Sequence, residues 1–286
     1  MPSLIDIRRR IRSVKNTQQI TKAMKMVSAA KLRRAQDRVI AARPYAATLR
    51  KVISNVAAAA AGDDRVSSNP LLAQRPEKRV LLVLVSGDKG LAGAFNSNLI
   101  KAAVRFPAEH NGAEMTFELV GRKGRDFFRK RNAKISGDQI GLAAKPSHEQ
   151  TATIARRATE LFSNGEVDAV YLLFNEFKSV MTQKVTLSRV LPVEVQAEQS
   201  AVDYIFEQPP GEMLEGLLPR YVEMEFYRAL LESSAAEHAA RMTAMDAATN
   251  NAADVIDSLT LNMNRVRQAS ITKEIIEVVS GAAAAE

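Results

Sequence analysis

The sequence predicts a mixed fold, in which an antiparallel coiled coil of the N- and C-terminal helices carries an inserted, mostly parallel α/β (Rossmann-like) domain. Residues 220–280 contain neither glycine nor proline, and Gly216, Pro219 and Gly281 flank them, which is typical of one long helix. Residues 3–58 show a second long helical pattern. Between the two, strand and helix patterns alternate, as they do in parallel sheets. A helix this long needs a partner for its apolar stripe, so we expect the two ends of the chain to pair.

The chain therefore divides into three predicted parts. These are an N-terminal helix of the coiled coil (1–60), an α/β globular domain (75–195) and a C-terminal helix of the coiled coil (208–286). Glycine, proline, serine and charged residues are frequent at 62–77, so this stretch is expected to be a linker.

The N-terminal helix is predicted to begin at Ser3, with Asp6 completing its cap. Apolar residues then recur at the 4,3 spacing of a heptad seam: Ile7, Ile11, Val14, Leu32, Ala35, Val39, Ala42, Ala46, Leu49, Ile53 and Val56. Between Val14 and Leu32 the same register is polar, at Gln18, Thr21, Lys25 and Ser28. We expect the apolar face to move there to Ile20, Met24, Val27 and Ala30. Pro44 lies inside the pattern and predicts a kink.

The net charge of +8 is unevenly distributed. Residues 1–51 contain 14 Lys and Arg against Asp6 and Asp37, a net charge of +12, which leaves −4 for the rest of the chain. A helix this basic indicates either an acidic partner, which would be nucleic acid, anionic lipid or an acidic protein surface, or simply a solvated face. It lacks the interleaved aromatic residues that stack on bases, so nucleic acid is the less favoured partner.

Four strands are expected in the central region. Residues 78–85 and 167–174 are continuous apolar runs typical of buried parallel strands. Residues 115–120 form a further strand, and the alternating stretch 181–193 is predicted to be an edge strand. The helix at 148–163 is expected to start with a capping box of Ser147 and Gln150.

The C-terminal helix has its own seam, rich in Ala and Met, which allow close and irregular packing. Its positions are Leu214, Leu217, Tyr221, Met224, Leu231, Ala235, Met242, Met245, Ala252, Ile256, Leu259, Met263 and Val266. Arg228 and His238 interrupt the seam, and His238 is expected to be exposed or at the rim, since no second ligand stands at metal-binding spacing. Beyond Val266 the helix is apolar without a clear partner.

The strongest candidate for chemistry is the glycine-rich turn of Gly87, Gly90 and Gly93, which follows a strand and precedes a helix. Phosphates bind at that position in α/β folds. The spacing is G-x-x-G-x-x-G rather than G-x-G-x-x-G, so a tight structural turn is favoured over a dinucleotide site. Neither His110, His148 nor His238 lies in a catalytic motif, and the chain has no cysteine. We therefore expect no catalytic residue, no metal and no cofactor.

Three long segments carry a resemblance to a known family. They are IRRRIRSVKNTQQITKAMKMVSAAKLRRAQ near the start, SGDKGLAGAFN in the middle, and ARMTAMDAATNNA with NRVRQASITKEIIEVVSGA near the end. Together they resemble the gamma subunit of bacterial F-type ATP synthases along effectively the whole chain. The resemblance implies the rotor shaft in the central stalk of the F1 sector, one copy per complex, which couples proton flow to ATP synthesis and itself hydrolyses nothing.

The resemblance also implies partners and contact residues. The partners are the α and β subunits that form a hexamer, the ε subunit and the membrane c ring. By motif match, Met24, Arg241 and Gln268 would contact the β subunit. The apolar end of the last helix would turn in an apolar sleeve: Ile271, Ile275, Ile276, Val278 and Val279. The foot would contact the c ring through Tyr204, Ile205, Phe206 and Glu207.

No apolar run is long enough to span a membrane, so membrane association is expected through partners alone. The implied location is the cytoplasmic face of the bacterial plasma membrane, as a peripheral protein. A dinucleotide-binding α/β enzyme with a helical arm is the main alternative, and a nucleic-acid-binding helical arm is the second.

Overall fold

The structure is a computed structural model that describes residues 3–60, 63–110, 112–194 and 206–283. It divides into two compact units, one of Met1–Ser28 with Met242–Glu286 and the other of Ala29–Arg241; we call them the helical unit and the sheet unit. No helix of the described residues is long and apolar enough to cross a membrane. The helices are α1 (Leu4–Ala59), α2 (Asp64–Ser68), a short 3-10 turn (Pro70–Leu72), α3 (Phe95–Glu109), α4 (Arg122–Arg129), α5 (His148–Ser163) and α6 (Pro210–Ala283). The strands are β1 (Arg79–Val85), β2 (Glu114–Val120), β3 (Ile135–Gln139), β4 (Ala169–Phe177) and β5 (Gln183–Leu191).

The sheet unit contains a five-stranded sheet in the order β3-β2-β1-β4-β5. Strands β1 to β4 pair in parallel, and β5 pairs antiparallel with β4 at the edge, which confirms the predicted mostly parallel sheet. Residues 80–85 of the central strand β1 are each at most 1% exposed, as expected for a strand covered on both faces.

Strand β3 was not predicted from the sequence. Its residues, ISGDQ, are all partly buried, and Ile135 alone has the β-branched or aromatic character that marks a strand. It forms because it completes the hydrogen bonding of β2, with which it pairs from Phe117 to Val120 across an irregularity in register. Tertiary pairing therefore overrides a weak local preference.

Helix α6 begins at Pro210, ten residues before the stretch 220–280 that contains neither glycine nor proline. Gly216 and Pro219 lie inside the helix rather than before it. Pro219 removes one backbone hydrogen bond, but Leu214, Leu218 and Val222 are at most 1% exposed and belong to the core. Burial of that apolar face outweighs the local cost of the two helix-breaking residues.

The two long helices run antiparallel within the sheet unit. Arg43 of α1 pairs with Glu232 of α6 at 2.9 Å, and Arg50 pairs with Glu225 at 3.0 Å. A forward step along α1 is therefore a backward step along α6. Apolar seam residues accompany these pairs, with Val39, Ile53 and Val56 each at most 4% exposed. The predicted antiparallel pairing is confirmed.

The helical unit is also an antiparallel pair, but its seam differs from the prediction. The apolar face does not move to Ile20 and Val27, which are 60% and 55% exposed, whereas Thr21 and Ser28 are 8% and 3% exposed. The Thr21 and Thr249 hydroxyls lie 2.8 Å apart, and Lys25 donates to Asp246 at 2.5 Å. Polar residues stay in the seam because their polar groups are satisfied there: Thr21 and Lys25 bond to the opposite helix, and Ser28 Oγ donates to the Met24 carbonyl of its own helix at 2.8 Å. The heptad register therefore continues unchanged.

The two predicted helix caps have different outcomes. At Ser3 the cap is confirmed, since Asp6 N donates to Ser3 Oγ at 3.2 Å and Ser3 Oγ donates to the Asp6 carboxylate at 2.8 Å. At Ser147 the capping box is wrong, because the serine side chain makes no cap hydrogen bond. The side chain that bonds to Ser147 is that of Thr151 rather than Gln150: Thr151 Oγ1 donates to the Ser147 carbonyl at 2.6 Å.

Replacing Arg43 with Met should destabilise the chain. Glu232 is 1% exposed, and loss of the guanidinium leaves its carboxylate buried with the Phe177 amide as a remaining donor. We expect the free energy of unfolding, measured by urea denaturation, to fall by about 3 kcal/mol. Arg38→Met on the exposed part of α1 is the matched control, since Arg38 has no ion-pair partner among the described residues. An equal loss in both variants would contradict the importance of the Arg43–Glu232 pair.

Candidate functional site

The C-terminal end of α6, in the helical unit, presents an uncovered apolar surface. The pairing of Thr21 with Thr249 and of Lys25 with Asp246 sets the register, and it places Leu4 opposite about residue 266. The end of α6 therefore continues past the start of α1. Its five large aliphatic residues are 49–72% exposed: Ile271, Ile275, Ile276, Val278 and Val279. An apolar surface of this kind is characteristic of a site that meets a partner.

Positive charge covers the adjoining part of α1 in the same unit. Arg8, Arg9, Arg10, Arg12 and Lys22 are all exposed. None of these five has a hydrogen bond or ion pair among the described residues. The unit therefore combines an apolar end with basic sides, which suits a partner that offers an apolar lining and acidic groups.

The three residues predicted to contact a β subunit lie in different environments. Met24 is half-buried on α1 and Gln268 is exposed on α6. Arg241 belongs to the sheet unit, where its side chain is 11% exposed and pairs with the Glu237 carboxylate. The structure thus leaves Met24 and Gln268 partly or fully accessible, while Arg241 is occupied within the chain itself. All three contacts stay predictions.

Of the predicted foot residues, Tyr204 and Ile205 lie outside the described residues. Phe206 is half-buried and packs against the apolar core of the sheet unit, and Glu207 is exposed. The c-ring contact stays a prediction for all four positions.

Inside the sheet unit, α6 carries charged residues that the sequence analysis missed. Residues 229–239 are all buried, and this region contains Glu232 and Glu237, with Glu225 one turn before it. Glu225 accepts from Arg50 and from Arg228, at 3.0 and 2.6 Å. One sequence signal could have revealed these buried charges: a glutamate followed three or four residues later by an arginine. Glu225 with Arg228 and Glu237 with Arg241 show this spacing.

Glu232 is the most heavily bonded of these acids. It accepts from Arg43 Nε at 2.9 Å, from Arg43 Nη2 at 3.1 Å and from the backbone N–H of Phe177 at 3.1 Å. Arg43 also donates to the Phe177 carbonyl at 2.9 Å. One carboxylate therefore links α6, α1 and the end of strand β4, which is a satisfied network rather than a reactive group.

The glycine-rich turn is closed by side chains of the same chain. Asn96 Oδ1 accepts from the Gly87 N–H at 2.9 Å. The Asp88 carboxylate accepts from the N–H groups of Arg122 and Gly141 at 3.0 and 3.1 Å. The Gly87 N–H is therefore already bonded within the chain, and the side chain of Asp88 ties the turn to residues 122 and 141. The dinucleotide-binding alternative is not supported.

His238 was predicted to be exposed or at the rim, and this is wrong. It is 7% exposed, because α6 is enclosed on all sides here, and its Nδ1 has no hydrogen-bond partner among the described residues. Burial, with smaller contributions from the positive charges of Arg241 and Lys31, lowers the pKa of His238 to about 4. The imidazole is therefore neutral at pH 7.

These features define a class of protein: a subunit with an uncovered apolar helical end, and a sheet whose glycine-rich turn is bonded to other parts of the same chain. The family model described as ATP synthase matches residues 3–285. The ATP synthase gamma chain of Solibacter usitatus (strain Ellin6076) is 75% identical over 286 residues and covers 100% of both chains. That of Pelotomaculum thermopropionicum is 50% identical over 289 residues, again with 100% of both chains covered. The chain belongs to the family of ATP synthase gamma chains.

Two solved structures are similar to this chain. A chain from the central stalk and c-ring structure of the Tetrahymena thermophila mitochondrial ATP synthase has a TM-score of 0.61 at 26% identity, covering 80% of this chain and 99% of that one. A chain from the rotor of the Euglena gracilis enzyme has a TM-score of 0.66 at 20% identity, covering 94% and 98%. The second likeness shows the fold alone.

Replacing His238 with Gln should reduce the acid sensitivity of the fold. The pKa of His238 lies below its ordinary value, so its contribution to stability is complete above pH 6.5 and is lost as the pH falls towards 4. At pH 5 the wild type should have lost about 2 kcal/mol from this group relative to pH 7. Urea denaturation at both pH values measures the difference, which should shrink by that amount in the variant. His148→Gln, at an exposed position, is the control; the same shrinkage there would contradict the assignment.

Proposed function

We propose that this chain is the central rotor shaft of a bacterial F-type ATP synthase, transmitting torque between a membrane c ring and the catalytic β subunits. It is a non-catalytic subunit, with α and β as a surrounding hexamer, and ε and the c ring as further partners. It acts at the cytoplasmic face of the plasma membrane, held there through those partners. We also propose that its domains are the three predicted parts: the N-terminal helix (1–60), the α/β domain (75–195) and the C-terminal helix (208–286).

The observation that carries the proposal is the uncovered apolar end of α6. Aliphatic side chains make no directional bonds. An apolar surface can therefore rotate inside an apolar lining without breaking hydrogen bonds. A binding site for one fixed partner would be expected to include polar groups that fix orientation. Polar residues also lie among the five aliphatic residues from Ile271 to Val279. Two of them, Lys273 and Glu277, pair with each other at 3.5 Å along α6.

The proposed β-subunit contacts use different parts of the chain. Met24 is at the edge of the α1 seam, and Gln268 is exposed near the end of α6. Arg241 is the weakest candidate for a direct contact, since its side chain is 11% exposed and already paired. For the foot, the exposed Glu207 and the core-packed Phe206 make Glu207 the better candidate for contact with the c ring.

Reconstitution tests the function directly. The purified chain is mixed with the α and β subunits of its own complex, and co-elution and ATP hydrolysis are measured. We expect a stable complex with a single copy of this chain per α/β hexamer, and sustained hydrolysis that depends on the chain. A chain that elutes alone, with hydrolysis unchanged by its addition, would reject the rotor assignment.

Replacing Met24 with Lys should weaken coupling. Met24 is a predicted β-subunit contact, and the basic residues of α1 suit an acidic partner surface. The new ammonium would therefore add an ion pair that each rotational step must break. We expect the ratio of protons pumped to ATP hydrolysed, measured in vesicles with the assembled enzyme, to fall by at least about twofold.

Met26→Lys is the matched control for that variant. Met26 is 67% exposed and lies roughly 200° around the helix from Met24, so the same chemical change faces elsewhere. Equal loss of coupling in both variants would show a general effect of charge on α1. No loss in Met24→Lys would place the acidic partner surface away from this residue.

A further inference from the structure

We infer that the ligand crevice of the α/β sheet is filled by helix α6 of the same chain, and that Glu237 and Arg241 are positioning residues that fix α6 to the sheet. The inference concerns the sheet unit alone. Its mechanical consequence, that torque passes between sheet and helix through this contact, rests on the proposed function.

The crevice is identified by topology. Strand β1 lies between β2 and β4. The chain adds β2 and β3 on one side of β1 and then β4 and β5 on the other, so the strand order reverses between β1 and β4. In open α/β sheets, ligands bind outside the carboxyl ends of the strands at this switch point. Here those ends are Val85 of β1 and Phe177 of β4.

Helix α6 bonds to the carboxyl ends of both strands. Glu232 accepts from the Phe177 N–H at 3.1 Å, and Ser233 Oγ donates to the Val85 carbonyl at 3.3 Å. Further along, Arg241 Nη2 donates to the Gly90 carbonyl, at 3.4 Å, in the turn that follows β1. The crevice is thus spanned by consecutive turns of α6.

The residues facing the β1 turn share one face of α6. Ser233, Glu237 and Arg241 are spaced four apart, which aligns them along the helix. Their partners, Val85, Gly87 and Gly90, follow in the same order along the chain. Side chains of successive helical turns therefore meet successive points of the turn in a fixed register, and a shift of one residue would break all of them.

Gly87 explains how a carboxylate fits where a phosphate would bind in other proteins. A Cβ atom at Gly87 would lie 3.0 Å from Glu237 Cδ and 3.2 Å from each carboxylate oxygen. The glycine leaves space for the Glu237 side chain, which is 7% exposed and pairs with Arg241. A buried pair of this kind holds when both partners are present, and loss of one leaves an uncompensated charge in the interior.

The test uses the full assembled enzyme in vesicles, with ATP hydrolysis and ATP-driven proton pumping measured together. Gly87→Val pushes the Glu237 carboxylate from its place, and Glu237→Gln keeps the shape but removes the charge. For each we expect the pumping-to-hydrolysis ratio to fall between about twofold and about thirtyfold. Gly216→Ala is the control, since a Cβ there meets nothing within 4 Å, and it should leave the ratio unchanged.

A double-mutant comparison separates docking from general damage. In a Glu237→Ala chain the carboxylate is gone, so adding Gly87→Val should cost little more. Hydrogen exchange on the isolated full chain gives a second measure: amides of residues 232–241 should exchange faster in Gly87→Val and in Glu237→Gln than in the wild type. This measurement needs no partner subunits.

Three outcomes would overturn the inference while leaving the rotor assignment intact: additive losses for Gly87→Val and Glu237→Ala, unchanged exchange in both single variants, or micromolar binding of ATP or NAD at the turn of the wild-type chain. If the wild-type chain does not assemble with α and β, the rotor assignment fails. The exchange experiment would then still decide whether α6 fills the crevice.

Discussion

Enclosure of residues 229–239 of α6 is the constraint on which the rest of the sheet unit depends. A helix buried on every side must satisfy each charge it carries inward. Three glutamates of α6 are buried, and four arginines neutralise them: two from α1 and two from α6 itself. These pairs set the direction of α1 and the point along α6 at which strand β4 ends, because Glu232 binds both Arg43 and Phe177. Apolar burial supplies the stability, and the charged groups supply the register.

How much the sequence predicted depended on the kind of signal. Helix α1 and the four predicted strands have strong periodicity or continuous apolar runs, and their bounds were predicted within a few residues. Helix α6 was also predicted, but it extends through Gly216 and Pro219 to Pro210. Strand β3 was missed because its only support is pairing with β2, which no local pattern records. The position of His238 was wrong for a related reason: a two-helix picture leaves one side of α6 open, whereas the sheet covers it.

The polar stretch of the α1 seam illustrates a different limit. Sequence reasoning treated Gln18, Thr21, Lys25 and Ser28 as a place where the apolar face moves. The helical unit instead keeps the register and pairs Thr21 with Thr249 and Lys25 with Asp246. Polar pairs in a helix seam cost stability compared with apolar packing. They also leave Ile20 and Val27 on the surface, where apolar side chains are available to other subunits. Whether a polar seam residue is buried depends on its partner, which lies more than two hundred positions away in the chain.

The glycine turn shows why a motif does not establish a function. Glycine after a strand gives close access to the carboxyl end of a sheet, and it does so for any group that carries negative charge. A nucleotide-binding protein uses that access for a phosphate from solution. In this chain a carboxylate from α6 lies against Gly87, and its counter-charge comes from Arg241 one turn further along. The same backbone geometry therefore serves to join two elements of one chain. The features that distinguish the two uses are the side chain facing the glycine and the hydrogen bonds that already occupy the turn, and both are properties of the fold rather than of the motif.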